Sequence, residues 1–292
     1  MPPAQLFELA EDYNMPHITT SDGVRLSYQE TGWGDPVVLI QGLGFPGDVW
    51  APIVDRLPDT YRVITLDNRG VGSTQAPDGP FSIFDMAGDV AELLTQVVGS
   101  PAHVVGFSMG GMIAQHLAGA HPQHVRSLAL LSTTVRPNAQ TDARVNLWRR
   151  MALGGTPREI LIHSQLLWCC QNSFFDNPDA LEQIIAHLTA QPASQTPQDF
   201  IRQIEACRSH DATSVVPNIR SPAVVLVGPE ERFFSIDEAQ QLARMIPGAS
   251  CKILSSGAHN AWMENPDEVT EELLCLFAEA QLPQSPADRS RE

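Results

Sequence analysis

The chain has 292 residues, a formal net charge of −16 at pH 7 and 43% hydrophobic residues. A chain of this length can bury a large core, either as one domain or as a domain with an insertion. The negative charge argues against nucleic acid and membrane surfaces as partners, because both require clustered Lys and Arg. We therefore expect a small-molecule partner, and we attribute the acidity mainly to solubility; a homodimer is left open.

The cysteines and the N-terminal residues indicate the cellular compartment of the protein. The five cysteines form an odd set without the spacing of a disulfide framework: Cys169, Cys170, Cys207, Cys251 and Cys275. Such cysteines are typical of small buried side chains in a reducing compartment. Residues 1–14 have neither the cationic start nor the apolar centre of a secretory signal, and no apolar run approaches membrane-spanning length. We expect a cytoplasmic protein without a metal or another cofactor.

The first 132 residues predict alternating strands and helices. Residues 1–15 are expected to form a loose arm or a short helix, and Ser21-Asp22-Gly23 to join two strands of a hairpin. Further strands are predicted at 37–40, 61–66, 102–107 and 125–131, and helices at 50–57, 81–98 and 109–119. Ser82 is the predicted N-cap of the second helix, with Asp85 at capping-box distance. This order is typical of a mostly parallel sheet covered on both faces.

The alternation is interrupted at 133–211 and then resumes. This segment is helical in period, is broken by prolines and contains large apolar side chains, so we predict a helical cap over the carboxyl edge of the sheet. The alternative is that most of these side chains are simply the inner faces of helices. Strands are predicted at 223–227 and 251–254, and helices at 235–245 and 266–280. The expected α/β core is therefore 1–132 with 212–282, followed by a disordered tail at 283–292.

Gly106-Phe107-Ser108-Met109-Gly110 is a G-x-S-x-G pattern between a predicted strand and a predicted helix. A serine in such a turn has a strained backbone, and glycine is needed two residues before and after it because side chains there would clash. Ser108 is therefore the predicted nucleophile. The alternative is a glycine-rich phosphate-binding turn, but the chain lacks the Lys-Ser/Thr ending and the third glycine of those loops.

A serine nucleophile needs a base and an acid that orients the base. His259 follows a predicted strand and is therefore the candidate base. The other histidines considered are assigned to helices or to the opposite edge: His103, His116, His121, His124, His163, His187 and His210. Glu231, in the loop after 223–227, is the preferred acid and Glu230 the second choice.

Backbone and pocket residues complete the predicted site. A tetrahedral oxyanion needs two N–H donors, and we assign these to Leu43, in the loop after 37–40, and to Met109. The substrate pocket is expected to involve six aromatic residues whose order of importance the sequence does not give: Phe107, Trp168, Phe174, Phe233, Phe234 and Trp262.

Several motifs together resemble the α/β-hydrolase superfamily. The resemblance is carried by the Gln41-Gly42 loop, the 67–73 loop, the Ser108 turn, the Gly228 loop and Gly257-Ala258-His259. These segments follow one another along the chain in the order of that fold, in which the serine comes first, the acid second and the histidine third. The resemblance covers roughly 17–280, apart from the cap. It is strongest to small capped esterases and lactonases of the 3-oxoadipate enol-lactonase type.

The resemblance has two departures. The family usually has His-Gly at the place of Gln41-Gly42, and Asp at the place of Glu231, so Glu230 or Asp211 could also serve as the acid. The serine at 108 distinguishes the chain from relatives that attack through an aspartate. The resemblance implies hydrolysis of an ester or lactone of a small to medium, largely apolar substrate. The alternatives are carbon–carbon bond hydrolysis, cofactor-free perhydrolysis, or a ligand-binding protein that has lost turnover.

Overall fold

The computed structural model describes residues 15–190 and 195–281. Eight strands form one sheet: β1 (His17–Thr19), β2 (Arg25–Thr31), β3 (Asp35–Ile40), β4 (Tyr61–Leu66), β5 (Ala102–Phe107), β6 (Val125–Leu131), β7 (Ala223–Val227) and β8 (Ser250–Ile253). Their order in the sheet is β1-β2-β4-β3-β5-β6-β7-β8. β2 pairs antiparallel with β1 and β4, whereas every pair from β4 to β8 is parallel. The carboxyl ends of β3 and β5 to β8 therefore meet at one edge of the sheet.

Ten α-helices occur in the described residues: α1 (Ala51–Val54), α2 (Ile83–Leu93), α3 (Met109–Ala120), α4 (Ala139–Leu153), α5 (Arg158–Cys169), α6 (Pro178–Ala190), α7 (Pro197–Arg208), α8 (Ile236–Met245), α9 (Ala261–Glu264) and α10 (Pro266–Gln281). Short 3-10 turns occupy 47–50, 122–124, 172–175 and 216–218. None of the helices described here is long and apolar enough to cross a bilayer.

Two buried layers cover the sheet, because alternate side chains of the parallel strands point to opposite faces. On one face, residues such as Val38 and Val104 pack with α2, α3, α8 and parts of α4 and α7. On the other face, Val37 and Val105 pack with α1, α9 and α10. Continuous apolar strands of this kind, buried on both faces, confirm the predicted α/β sheet with flanking helices.

Helix α2 shows both a confirmed cap and an unpredicted break. Ser82 accepts a hydrogen bond from Asp85 N at 3.2 Å, and Asp85 Oδ2 accepts one from Ser82 N at 2.7 Å, which forms the predicted capping box. The predicted helix 81–98 is regular only to Leu93. A π-helical turn follows from Leu94 to Val98 and ends at Gly99, whose φ is 72°. No proline or glycine precedes this turn directly, so the sequence carried no signal for it.

Residues 133–211 contain α4 to α7, and the part described there has no strand. Leu166 and Cys170 pack with Ile185 into a small separate cluster. Whether this segment acts as a cap domain with the predicted boundaries stays a prediction. The last predicted strand, 251–254, is displaced by one residue, to Ser250–Ile253. The predictions for the N-terminal arm, apart from Met15, and for the tail at 283–292 fall outside the described residues.

Candidate active site

Ser108 lies on a sharp turn between β5 and α3. Its φ of 53° and ψ of −116° are outside the regions that side chains prefer, and it is the N-cap of α3. A Cβ on Gly106 would lie 2.3 Å from Gly110 O, and a Cβ on Gly110 would lie 2.0 Å from Ile40 O. Glycine is therefore required at both positions, which is the steric origin of the G-x-S-x-G pattern.

The backbone on both sides of Ser108 is fixed by the end of β6. Ser108 N donates to Leu131 O at 2.9 Å, and Thr133 Oγ1 donates to Ser108 O at 2.8 Å. Between these two residues, Ser132 has a φ of 44°. Apart from glycines, Ser108 and Ser132 are the described residues with positive φ, so backbone strain is concentrated around the serine.

A continuous chain of hydrogen bonds joins Ser108, His259 and Glu231. His259 Nε2 lies 3.0 Å from Ser108 Oγ, and His259 Nδ1 lies 3.0 Å from Glu231 Oε2. All three side chains are almost completely shielded from solvent. The distances are those required of a nucleophile, a general base and an orienting carboxylate.

The environment of Glu231 favours its ionised form. Glu231 Oε1 accepts backbone N–H groups from Phe233 at 2.8 Å and from Phe234 at 3.2 Å. Burial by itself would raise the pKa of Glu231. The charge and hydrogen bond of His259, with hydrogen bonds from Phe234 N–H and Ser132, outweigh that effect and lower the pKa. A carboxylate that stays ionised can hold the imidazole in one tautomer.

The alternative acids lie elsewhere. Glu230 Oε2 accepts from Asn172 N at 2.9 Å and pairs with Arg232 at 2.9 Å. Asp211 is exposed and lies 3.7 Å from Arg136. Neither carboxylate contacts His259 in the part of the chain that the structure describes.

The loop after β3 carries Leu43, the predicted oxyanion donor, and lies beside Ser108. A Cβ on Gly42 would lie 3.2 Å from Ser108 Cβ, so the two backbones approach closely. Gln41, which is fully buried, accepts Gly42 N–H on Oε1 at 2.6 Å. The N–H group of Gly42 is therefore already bonded to a neighbouring side chain and does not point to an oxyanion. Leu43, next along the chain, and Met109, at the start of α3, both line the cavity that contains Ser108.

Gln203, on α7, connects this loop to a second one. Its side chain is fully buried, accepts from Gly44 N at 3.0 Å and donates to Arg69 O at 2.7 Å. The amide therefore fixes the residue after Leu43. Sequence reasoning missed Gln203, because a glutamine within an amphipathic helix gives no signal of a tertiary role.

The end of α5 is connected to the loops of the acid and the base. Asn260 N donates to Cys169 O at 2.9 Å, and Gly257 N donates to Gln171 Oε1 at 3.1 Å. Glu264 joins the two segments, because its two carboxylate oxygens accept from Gln171 N at 2.7 Å and from Ala258 N at 2.8 Å. The position of His259 therefore depends on contacts with the segment that follows α5.

A cavity of about 60 Å³ contains Ser108 and His259. Its other lining residues are mainly apolar: Leu43, Phe45, Phe107, Met109, Met112, Pro137, Thr141, Val145, Trp148, Gln165, Leu166, Cys169, Cys207, Phe233, Phe234 and Asn260. Much of one wall comes from α4, α5 and α7. The volume is well below the range of several hundred Å³ that is usual for drug-sized ligands.

The predicted pocket residues divide into two groups. Phe107, Phe233 and Phe234 line the cavity, whereas Trp168, Phe174 and Trp262 do not belong to the lining found among the described residues. A part for these last three in binding substrate stays a prediction. The Trp168 ring lies 4.5 Å from the Arg144 guanidinium, Phe174 packs in the cluster around Leu166, and Trp262 packs against Trp50 at 5.0 Å.

The difference between the predicted pocket and the cavity lining has a physical reason. Sequence periodicity identifies an apolar face, but not the neighbour that covers it, so Trp148 and Val145 on α4 were missed as lining residues. The G-x-S-x-G pattern could have identified Met112 as a lining residue, since Met112 lies one turn beyond Met109 on the helix that follows Ser108.

Comparisons with known proteins agree with the fold. A family model described as "alpha/beta hydrolase fold" matches residues 35–266. The chain is 29% identical over 261 residues to "Putative carbamate hydrolase RutD" of Azorhizobium caulinodans, covering 87% of this chain and 95% of that protein. It is 28% identical over 258 residues to pimeloyl-[acyl-carrier protein] methyl ester esterase of Chromobacterium violaceum, covering 86% and 97%. The crystal structure of the enol-lactonase from Burkholderia xenovorans superposes with a TM-score of 0.75 at 24% identity, covering 90% and 100%.

Proposed function

The chain belongs to the α/β-hydrolase family, and from that premise we propose that it is a serine esterase or lactonase that acts through an acyl-enzyme. The observation that carries this proposal is the unbroken chain of hydrogen bonds from Ser108 Oγ through His259 to Glu231. Hydrolase and esterase relatives support the reaction class, and the mainly apolar lining of the cavity supports a largely apolar substrate.

In the proposed reaction, Ser108 Oγ attacks the ester carbonyl while His259 Nε2 takes the hydroxyl proton. Glu231 holds His259 and stabilises the imidazolium. The N–H groups of Leu43 and Met109 stabilise the tetrahedral oxyanion. His259 then gives the proton to the departing alkoxide, which leaves an acyl group on Ser108. A water molecule activated by His259 hydrolyses this ester, releasing the acid and regenerating the serine.

The test measures hydrolysis of p-nitrophenyl acetate and butyrate by the wild type and by Ser108→Ala. We expect the substitution to lower kcat by at least about 10⁴-fold, since removal of a triad serine leaves only the residual effects of binding and oxyanion stabilisation. A fluorophosphonate probe should label the wild type and not Ser108→Ala. Ser214→Ala, which removes an exposed serine, is the matched control and should keep both activity and labelling.

Equal turnover by the wild type and Ser108→Ala would contradict the proposal. Labelling of Ser108 without turnover of any ester or lactone would favour the ligand-binding alternative. Hydrolysis of dienoic ketones, or a peroxide-dependent halogenation, in the absence of ester cleavage would favour the other two alternatives.

Carbamate hydrolysis is a second candidate, favoured by the name of the RutD relative and by the small cavity. It needs the same serine, base and oxyanion donors, because a carbamate also carries a carbonyl with a leaving group. Comparing p-nitrophenyl N-methylcarbamate with the acetate separates the two. Carbamoylation of Ser108 that is not followed by hydrolysis would exclude this candidate.

A further inference from the structure

We propose that the site is selective for short, uncharged acyl groups, and that Trp148 sets the upper limit of acyl length. This inference deepens the proposed function and rests on it. It follows from three features of the cavity: its size, the fixation of Trp148, and the absence of a charged partner in the lining formed by the described residues.

The cavity is small, and part of its lining is deeply buried. Its volume of about 60 Å³ is well below the several hundred Å³ that is usual for drug-sized ligands. Trp148 is 3% exposed and Val145 4% exposed, whereas Leu43 and Pro137 are partly exposed. We place the deep end of the cavity at these α4 residues and its opening on the Leu43 side, because Leu43 and Pro137 are the more exposed of these four lining residues. A chain longer than a few carbons would meet the indole of Trp148.

Trp148 is held too firmly to yield to a longer chain. Its ring stacks on Phe233, with centroids 5.2 Å apart and planes 11° apart, and its Nε1 donates to Ser164 Oγ at 3.1 Å. Phe233 in turn lies 4.8 Å from the His259 ring, and its N–H donates to Glu231. Rotation of Trp148 would therefore disturb the support of the base, so the floor of the cavity is fixed.

The lining disfavours a charged acyl group. Apart from His259, no ionisable nitrogen or carboxylate lines the cavity in the described parts of the chain. The guanidinium of Arg144 lies behind the wall, where Nη1 donates to Phe233 O at 2.6 Å and the group covers Trp168. A carboxylate in the cavity would lose its hydration without gaining an ionic partner, which is costly.

The enclosed space suits the acyl group rather than the alcohol. With an ester substrate, the acyl group remains covalently attached to Ser108 between the two steps, whereas the alcohol must leave before water can attack. A closed, mainly apolar end can hold the first group but would trap the second. We therefore assign the cavity to the acyl side.

The experiment measures kcat/KM for p-nitrophenyl acetate, butyrate, hexanoate and octanoate with the wild type, Trp148→Ala and Trp148→Phe. Trp50→Phe is the matched control, because Trp50 is a fully buried tryptophan outside the cavity lining. Circular dichroism and thermal unfolding identify folded variants. If Trp148→Ala does not fold, Trp148→Phe still provides a smaller ring and a graded test. A parallel pair, mono-p-nitrophenyl succinate and p-nitrophenyl isocaproate, compares a charged and a neutral acyl group of similar shape.

We expect the wild type to prefer acetate and butyrate, and each Trp148 variant to raise the octanoate-to-acetate ratio of kcat/KM, by at least about tenfold for the alanine. Trp50→Phe should keep the wild-type profile, and the neutral isocaproate should exceed the succinate by at least about 100-fold. Unchanged chain-length profiles in folded Trp148 variants, a shift that instead follows the length of the alcohol, or equal use of the two matched esters would overturn the inference. These failures are distinct from failure of the proposed function, in which the wild type hydrolyses no ester.

Discussion

Glu231 contacts His259 with both carboxylate oxygens and the cavity wall with one of them. Oε2 lies 3.0 Å from His259 Nδ1, and Oε1 accepts Phe233 N–H at 2.8 Å. Because Phe233 also stacks on Trp148, the candidate acid connects the proton-transfer groups to the surface that would contact substrate. A change at Glu231 should therefore affect the reaction much more than it affects the fold.

Glu231→Gln should lower kcat by about 10³–10⁴-fold, because a neutral amide cannot stabilise the imidazolium and can favour the wrong tautomer of His259. The measurement is the steady-state rate with p-nitrophenyl butyrate, together with thermal unfolding to verify the fold. Glu230→Gln is the matched control: its carboxylate pairs with Arg232 and not with His259, so kcat should change less than about threefold. A larger loss in Glu230→Gln than in Glu231→Gln would reverse our assignment of the acid.

Gln203→Leu should lower kcat about tenfold while KM changes little. The leucine cannot accept Gly44 N–H or donate to Arg69 O, so the Leu43 amide would no longer be held toward the oxyanion. The affinity for a trifluoromethyl ketone, which forms a tetrahedral adduct with the serine, should fall by a similar factor. Gln198→Leu, at an exposed position of the same helix, is the control. If KM rises while kcat falls, and the ketone binds as tightly as before, Gln203 has only a structural role.

His210 should make the protein less stable in acid. It is buried near His116, with ring centroids 5.3 Å apart, and burial together with that neighbour lowers its pKa from 6.5 to about 3. Because the unfolded chain binds the proton more readily, this group contributes full stability above about pH 6.5 and loses it as the pH falls toward 3. At pH 5 the loss should be about 2 kcal/mol.

The measurement is urea unfolding of the wild type and of His210→Leu at pH 7.5 and at pH 5. Between pH 7.5 and pH 5, the free energy of unfolding should fall by about 2 kcal/mol more for the wild type than for the variant. Equal falls in the two proteins would show that protonation of His210 does not contribute to acid sensitivity.

The features that could be predicted from the sequence are those that depend on local sterics and chain order. Gly106 and Gly110 are required by close backbone contacts, so the amino-acid pattern, placed between a predicted strand and a predicted helix, identifies the Ser108 turn. His259 and Glu231 each follow a parallel strand, and the sheet brings such loops to one edge.

Other features depend on packing between distant segments and could not be predicted. Trp148 and Trp168 are both large aromatic residues in the same helical insertion, yet one lines the cavity and the other lies under Arg144. Periodicity places each on a helix but does not specify the rotation of that helix against the sheet. Gln203 shows the same limit for a polar residue, whose two partners are more than a hundred residues away in the chain.

The attachment of Cys169 and Gln171 to the histidine loop limits how this enzyme could be engineered. Replacing residues 133–211 with the corresponding segment of a relative would remove the Gln171 side chain that accepts Gly257 N–H and the Gln203 side chain that accepts Gly44 N–H. It would also change the backbone that places Cys169 O against Asn260 N. A chimera with a foreign insertion should therefore lose turnover even when it folds. Transplants that retain 169–172 and Gln203, and exchange only the exposed faces of α4 to α6, offer the better starting point for altered selectivity.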